Sequence, residues 1–173
     1  MKSFCRFAAA VTLLACMMSA SAQDKGGIVS AAKSKFGPLP GVPACLTLSV
    51  QHGDPSKGGA VLLVKMTPGC TVPWHWHTAS EALMMISGKG KIEMKDAAGM
   101  KYDYTYVPSL AVSPGDYVYL PGKHPHQFSC STACMFFDVT EGAFDIHYID
   151  NGGKEIPPDQ ALKPAAKPAA KKK

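Results

Sequence analysis

Gly69–Gly88, GCTVPWHWHTASEALMMISG, is the stretch on which the fold turns. Pro68-Gly69 opens it and Gly88-Lys89-Gly90 closes it, so two short strands fit between, Val72–His77 and Glu81–Ser87. In an extended strand residues two apart share a face. His75 and His77 therefore point one way, and Trp74 and Trp76 the other. Glu81 follows a short bend and can return to the histidine face. Two imidazoles and a carboxylate on one inner face can grip a cation, because imidazole suits Zn, Cu, Fe and Ni and carboxylate adds Mn. Polar rings inside a small barrel are costly to bury unless something satisfies them, and a metal does so.

The same texture extends outward. Cys45–Gln51, Ala60–Thr67, Lys91–Lys95, Tyr102–Val107, Asp116–Leu120, Pro125–Ser129, Met135–Thr140 and Phe144–Ile149 are further short strands, split by Gly/Pro turns. Ten such strands at close spacing specify an all-β sandwich or barrel. No helical period exceeds two turns in this stretch, and neither an internal repeat nor a second domain is visible. Ile28–Phe36 is a candidate short helix ended by Gly37-Pro38-Leu39-Pro40-Gly41.

A second histidine group, His124-Pro125-His126, lies far along the chain and is placed to close the site from another strand. With it, the residues resemble a known family. Gly69-x5-His75-x-His77-x3-Glu81-x6-Gly88 matches the first cupin motif at every anchor. Gly115-x5-Pro121 begins the second motif, and His126 falls at its histidine. Lys123 stands where that motif usually has Gly, and Cys130 where it often has Asn. Neither replaced residue is a metal ligand in the family. The stretch between the motifs, Lys89 to Pro114, has a usual length for small bacterial cupins. His52-Gly53-Asp54-Pro55, Ser80-Glu81 and Gly142-x-Phe144-Asp145-Ile146-His147-Tyr148 look like a branch of exported, single-domain cupin-2-type proteins. The resemblance covers about residues 40–150. It implies a double-stranded β-helix, a jelly-roll barrel of two sheets. It also implies one divalent transition metal ion (Fe, Mn, Zn, Ni or Cu) at His75, His77, Glu81 and His126.

The ends are different in kind. Residues 1–22 carry Lys2 and Arg6, an apolar run from Phe7 to Met18, and Ala20-Ser21-Ala22. That is the layout of a secretory signal peptide cleaved before Gln23. The apolar run is short of the roughly 20 residues a membrane span needs. Lipidation at Cys16 is the alternative, because Leu13-Leu14-Ala15-Cys16 resembles a lipobox. Residues 23–44 are then a leader, 45–150 the barrel domain, and 151–173 a flexible Pro/Ala/Lys-rich tail. The expected destination is the bacterial periplasm or the exterior. Export leaves Cys45, Cys70, Cys130 and Cys134, an even set that favours disulfides in an oxidising compartment. Three pairings exist. Local closure of Cys130 with Cys134 is the easiest and leaves Cys45 with Cys70, while free buried thiols or soft-metal ligands are the alternative.

Charge follows the same division. The chain has 173 residues and a formal net charge of +5. Setting aside the two basic residues of the first 22 and the five lysines of the last 13 leaves eleven bases against thirteen acids, a net of −2. The basicity belongs to the ends, which argues against a globular nucleic-acid-binding face. The lysine tail is a solvated segment, with weak attraction to anionic envelope material as its functional reading.

The expected function is binding of a metal and a small organic molecule, with a dioxygenase-type oxidation or other conversion if the protein is an enzyme. The alternative is a non-enzymatic envelope protein that captures a metal or ligand, copper included, given six methionines beyond the signal. Met85 shares parity with Glu81 and is a candidate for the pocket wall. His124 is a candidate fifth donor or pocket-mouth residue, and Gln127, Tyr117 and Tyr119 are candidate substrate contacts. His52 is expected to be solvated, and His147 has no partner that can be named. The two tryptophans are expected to fill space between the sheets or at a subunit contact. No Asp/Glu pair near the site is visible as an acid–base couple. Sheet edges on a jelly roll favour a homodimer.

Overall fold

The computed structural model describes residues 26–95 and 109–163. The signal-like stretch 1–22, the strand expected at Tyr102–Val107, Met100 and the tail beyond Lys163 lie outside the described residues.

Among the described residues ten strands are formed: β1 (Leu46–Gly53), β2 (Ala60–Met66), β3 (Thr71–Trp76), β4 (Glu81–Ser87), β5 (Gly90–Met94), β6 (Ser109–Val112), β7 (Tyr117–Leu120), β8 (His126–Cys130), β9 (Cys134–Thr140) and β10 (His147–Tyr148). One sheet has the order β1-β2-β9-β4-β7 and the other β10-β3-β8-β5-β6. All their pairings are antiparallel. From β2 to β5, and again from β7 to β10, the chain passes to the opposite sheet at each step. That winding makes a jelly-roll barrel with its core between two inner faces.

Alternation in the sequence builds that core. Along β9, Cys134, Phe136, Asp138 and Thr140 are buried while the residues between them are half-buried. Leu62, Leu83, Ile92, Phe128 and Phe136 fill the interior, with Phe128 and Phe136 edge to face at 5.2 Å. Each such side chain contributes about 1.5–3 kcal/mol by leaving water. Disulfides join Cys45 to Cys70 and Cys130 to Cys134, as the spacing favoured. The second spans the short link from β8 to β9, where the chain changes sheets.

Three segments differ from expectation. Of Ile28–Phe36 only a single 3-10 turn forms, Ala31–Lys33. None of its residues is buried, and so short a helix lacks the packing that would hold it. Phe144–Ile149 narrows to the two residues of β10, because the backbone before it is engaged elsewhere. The amide of Phe144 donates to Pro55, the Asp145 carbonyl accepts from the His77 ring, and the Asp145 carboxylate accepts from the Thr78 amide. Finally, part of the expected tail packs. Ile149 bridges to Glu155, a short helix α1 (Pro158–Ala161) follows, and Ile156, Ala161 and Leu162 rest on the core. These three apolar anchors are lost when composition is averaged over the lysine-rich end.

Candidate metal centre

His75, His77, Glu81 and His126 meet at one end of the barrel. β3 carries His75 and releases His77 just beyond its end, β8 begins with His126, and β4 begins with Glu81. His75 and His126 are direct partners in the β3–β8 ladder. Glu81 reaches them from the opposite sheet. One ligand atom from each of the four lies within 4.8 Å of the others, and all four side chains are buried.

Hydrogen bonds fix how the rings face. His75 Nδ1 donates to the Pro73 carbonyl at 2.6 Å, His126 Nδ1 to the His124 carbonyl at 2.8 Å, and His77 Nδ1 to the Asp145 carbonyl. A carbonyl only accepts, so each Nδ1 carries the proton and each neutral ring keeps its lone pair on Nε2. For His126 and His77 that nitrogen faces the Glu81 carboxylate, at 3.0 and 3.5 Å. Burial, then the adjacent His126 and His77, pushes the His75 pKa well below its usual value. Burial raises the Glu81 carboxyl, but the His77 and His126 rings and a hydrogen bond with Asp138 outweigh it and hold the pKa at about 2. Three imidazole rings and a carboxylate gathered in a buried pocket are the donor set a divalent transition metal takes. The backbone carbonyls supply the outer bonds that orient the rings. These residues fit such an ion.

A cavity of about 510 Å³, counting its open mouth, leads to the cluster. Its walls are Val42, Leu46, Leu48, Val64, Val72, Leu83, Phe128, Phe136, Phe144 and Ile146. Besides the cluster, the polar residue on its wall is Asp138. Asp138 shares a hydrogen bond with Glu81, and burial, then the Glu81 charge, pushes its pKa well above the usual carboxylate range. The expectation of no nearby carboxyl pair is therefore corrected. Parity with Phe136 on a recognised strand was the available signal; that it meets Glu81 depends on β9 lying beside β4.

Other candidates fall elsewhere. His124 is neither a donor of the cluster nor on the cavity wall. It is buried, bonds the Lys95 carbonyl through Nε2 at 3.1 Å, and offers its own carbonyl to His126. Tyr117 and Tyr119 project outward from β7, and Gln127 bonds Glu93 at 2.6 Å, so none lines the cavity. Met85 is buried in the core and does not line the cavity either, nor does any other described methionine. His52 is exposed at the end of β1. His147 has partners after all: it stacks on Trp76 at 3.9 Å and lies between Asp145 and Glu155. Trp74 lies beneath the Lys95 ammonium.

Residues 62–140 match the family model described as "Cupin domain". No curated protein matches the chain. Among solved structures, the chain is similar to the polyketide cyclase RemF from Streptomyces resistomycificus, at 16% identity and TM-score 0.57, over 73% of this chain and 87% of that one. It is similar to an acetylacetone dioxygenase from Acinetobacter johnsonii, at 13% identity and TM-score 0.54, over 92% and 95%. It is also similar to KdgF from Halomonas sp., at 13% identity and TM-score 0.53, over 69% and 96%.

Proposed function

We propose that this chain, which belongs to the cupin superfamily, holds one divalent transition metal ion at His75, His77, Glu81 and His126 and binds a small organic molecule beside it. One observation carries the reading: the His77 and His126 rings, anchored through Nδ1, turn Nε2 toward the buried Glu81 carboxylate, with His75 in the same cluster. Fe, Mn, Zn, Ni and Cu all suit three imidazoles and a carboxylate. When bound, the metal supplies Lewis acidity at positions the four residues leave open. The chain's own part is separate. Glu81 offsets the charge, the three carbonyls hold the rings in one tautomer, and Leu48, Val64 and Phe136 exclude water from the reacting side.

Conversion of the bound molecule, as an oxidation or another metal-assisted reaction, is the favoured activity. An acetylacetone dioxygenase and a polyketide cyclase are built on the same fold, which supports a small organic molecule as ligand. The second reading is a binding protein without turnover. It is favoured by walls that are apolar apart from the cluster and Asp138. Copper handling draws no support from the pocket, because no described methionine lines the cavity.

The site of action is the periplasm or the exterior of a bacterium. Two disulfides fit an oxidising compartment, and among the described residues no helix is long and apolar enough to cross a membrane. A homodimer is favoured by exposed Met84, Ile86, Tyr117 and Tyr119 on the outer β4–β7 edge. The test is elemental analysis of protein purified from its native compartment, followed by turnover assays with small organic substrates. About one equivalent of a transition metal is expected. A metal-free protein that takes up none on titration refutes the reading, and stoichiometric metal without turnover selects the binding protein.

A further inference from the structure

Asp138 is out of place in this core. It sits on the inner face of β9 between Phe136 and Thr140, opposite Leu62 of β2 and Leu83 of β4. It is 7% exposed and lines the cavity that leads to the cluster. Its partner is the Glu81 carboxyl, and no donor of the described residues reaches Oδ1. The second Asp138 oxygen, Oδ1, is therefore a buried acceptor without a donor, on a residue that lines the cavity. A prop for Glu81 alone would not need that second acceptor, and a buried acceptor left unpaired is costly.

We propose that Asp138 sets the specificity of the pocket: the oxygen that Glu81 leaves over accepts a hydrogen bond from a hydroxyl or N–H group on a small, otherwise apolar ligand. This rests on the barrel cavity being the ligand site, as proposed above. The apolar walls supply affinity without direction, and Asp138 supplies the one directional contact that is independent of the metal. A molecule of the same shape without the donor leaves the carboxyl desolvated and unpaired, so the pocket rejects it.

The experiment uses the full chain and isosteric probe pairs, phenol against fluorobenzene and cyclopentanol against fluorocyclopentane, titrated calorimetrically. Metal content and melting temperature are read on every sample. The wild type is expected to bind the hydroxyl member at least about tenfold more tightly than the fluoro member. Metal-stripped wild type should keep that preference. Asp138→Leu should remain folded and bind both members alike. Asp138→Asn, which keeps a carbonyl oxygen and can donate its amide to Glu81, should retain the preference. Equal binding within each pair, no binding of any probe to the wild type at millimolar concentration, or an unchanged preference in Asp138→Leu overturns the proposal. So does a preference that vanishes on stripping, since the metal would then be reading the hydroxyl. A wild type that never holds metal yet shows the preference refutes the metal reading and leaves Asp138 standing.

Discussion

His126 Nε2 lies 3.0 Å from Glu81 Oε1 while the Nδ1 of the same ring is committed to the His124 carbonyl. With Nδ1–H donating outward, the inward nitrogen of a neutral ring is a lone pair facing a carboxylate. Two acceptors at that distance repel unless a cation stands between them or the ring takes a second proton. Either way the site attracts positive charge, and the same logic applies at His77, 3.5 Å from Oε2.

Replacing Glu81 by Gln or His126 by Ala should weaken metal binding by more than about 100-fold, since replacing even an outer partner of a metal ligand costs about 10–100-fold. Titration with Zn, Mn or Fe ions measures this. Unchanged affinity in both variants removes them from the ligand set. His124→Gln keeps the backbone carbonyl that His126 uses, so metal affinity should fall by less than about tenfold.

Acid should destabilise the metal-free protein through His75. Burial keeps that ring neutral in the fold, so its folded pKa is depressed below the ordinary 6.5. The unfolded chain gains a proton the folded chain lacks as pH drops past that value. The contribution is therefore present above about pH 6.5 and lost below it, with a slope up to about 1.4 kcal/mol per pH unit. Glu81 adds a second loss between its ordinary 4.5 and about 2. Chemical denaturation from pH 8 to 4 should show the first slope, and His75→Gln should flatten it. Bound metal should be released over the same acid range as the histidines protonate.

Mass spectrometry of the unreduced protein should show four fewer hydrogens than the fully reduced form, from two disulfides. Removing Cys45–Cys70 should cost about 3 kcal/mol, because it closes the longer loop, against about 2 kcal/mol for Cys130–Cys134. Urea denaturation of the paired Cys→Ser variants gives both numbers. A larger loss from the second pair contradicts this ordering.

Lys123 adopts φ 63°, a left-handed conformation that costs a residue with a side chain about 1–2 kcal/mol. Its amide donates to the His77 carbonyl at 2.7 Å, so the turn supports a site residue. Lys123→Gly should raise stability by up to about 1 kcal/mol, after the extra entropy glycine loses. Metal affinity should stay unchanged. A lower melting temperature would show that the lysine side chain contributes more than the strain costs.

Much of the fold was legible because strands advertise themselves locally. Alternation marks Ala60–Met66 and Cys134–Thr140, and Gly/Pro pairs mark their ends. The histidine parity of the first motif was equally readable. Parity failed at His124, since Pro125 and the turn at Pro121–Lys123 break the strand before it, and the ring goes to the Lys95 carbonyl instead. It failed differently for Tyr117 and Tyr119, which alternate correctly but project from the outer face of β7. Pattern tells which residues share a face, not which face is inside.

The sequence alone determined the jelly-roll class and the four candidate ligands, and it favoured one cysteine pairing without fixing it. Each rests on short-range spacing, on turn chemistry or on a resemblance carried by motifs. Sheet order decided the rest. β9 lies between β2 and β4, and only that adjacency brings Asp138 to Glu81 and encloses both in apolar walls. The backbone before β10 decided that the Asp145 carbonyl would orient His77. Such contacts join residues far apart in the chain, and their partners are chosen by how two sheets close on one another, which no local period encodes.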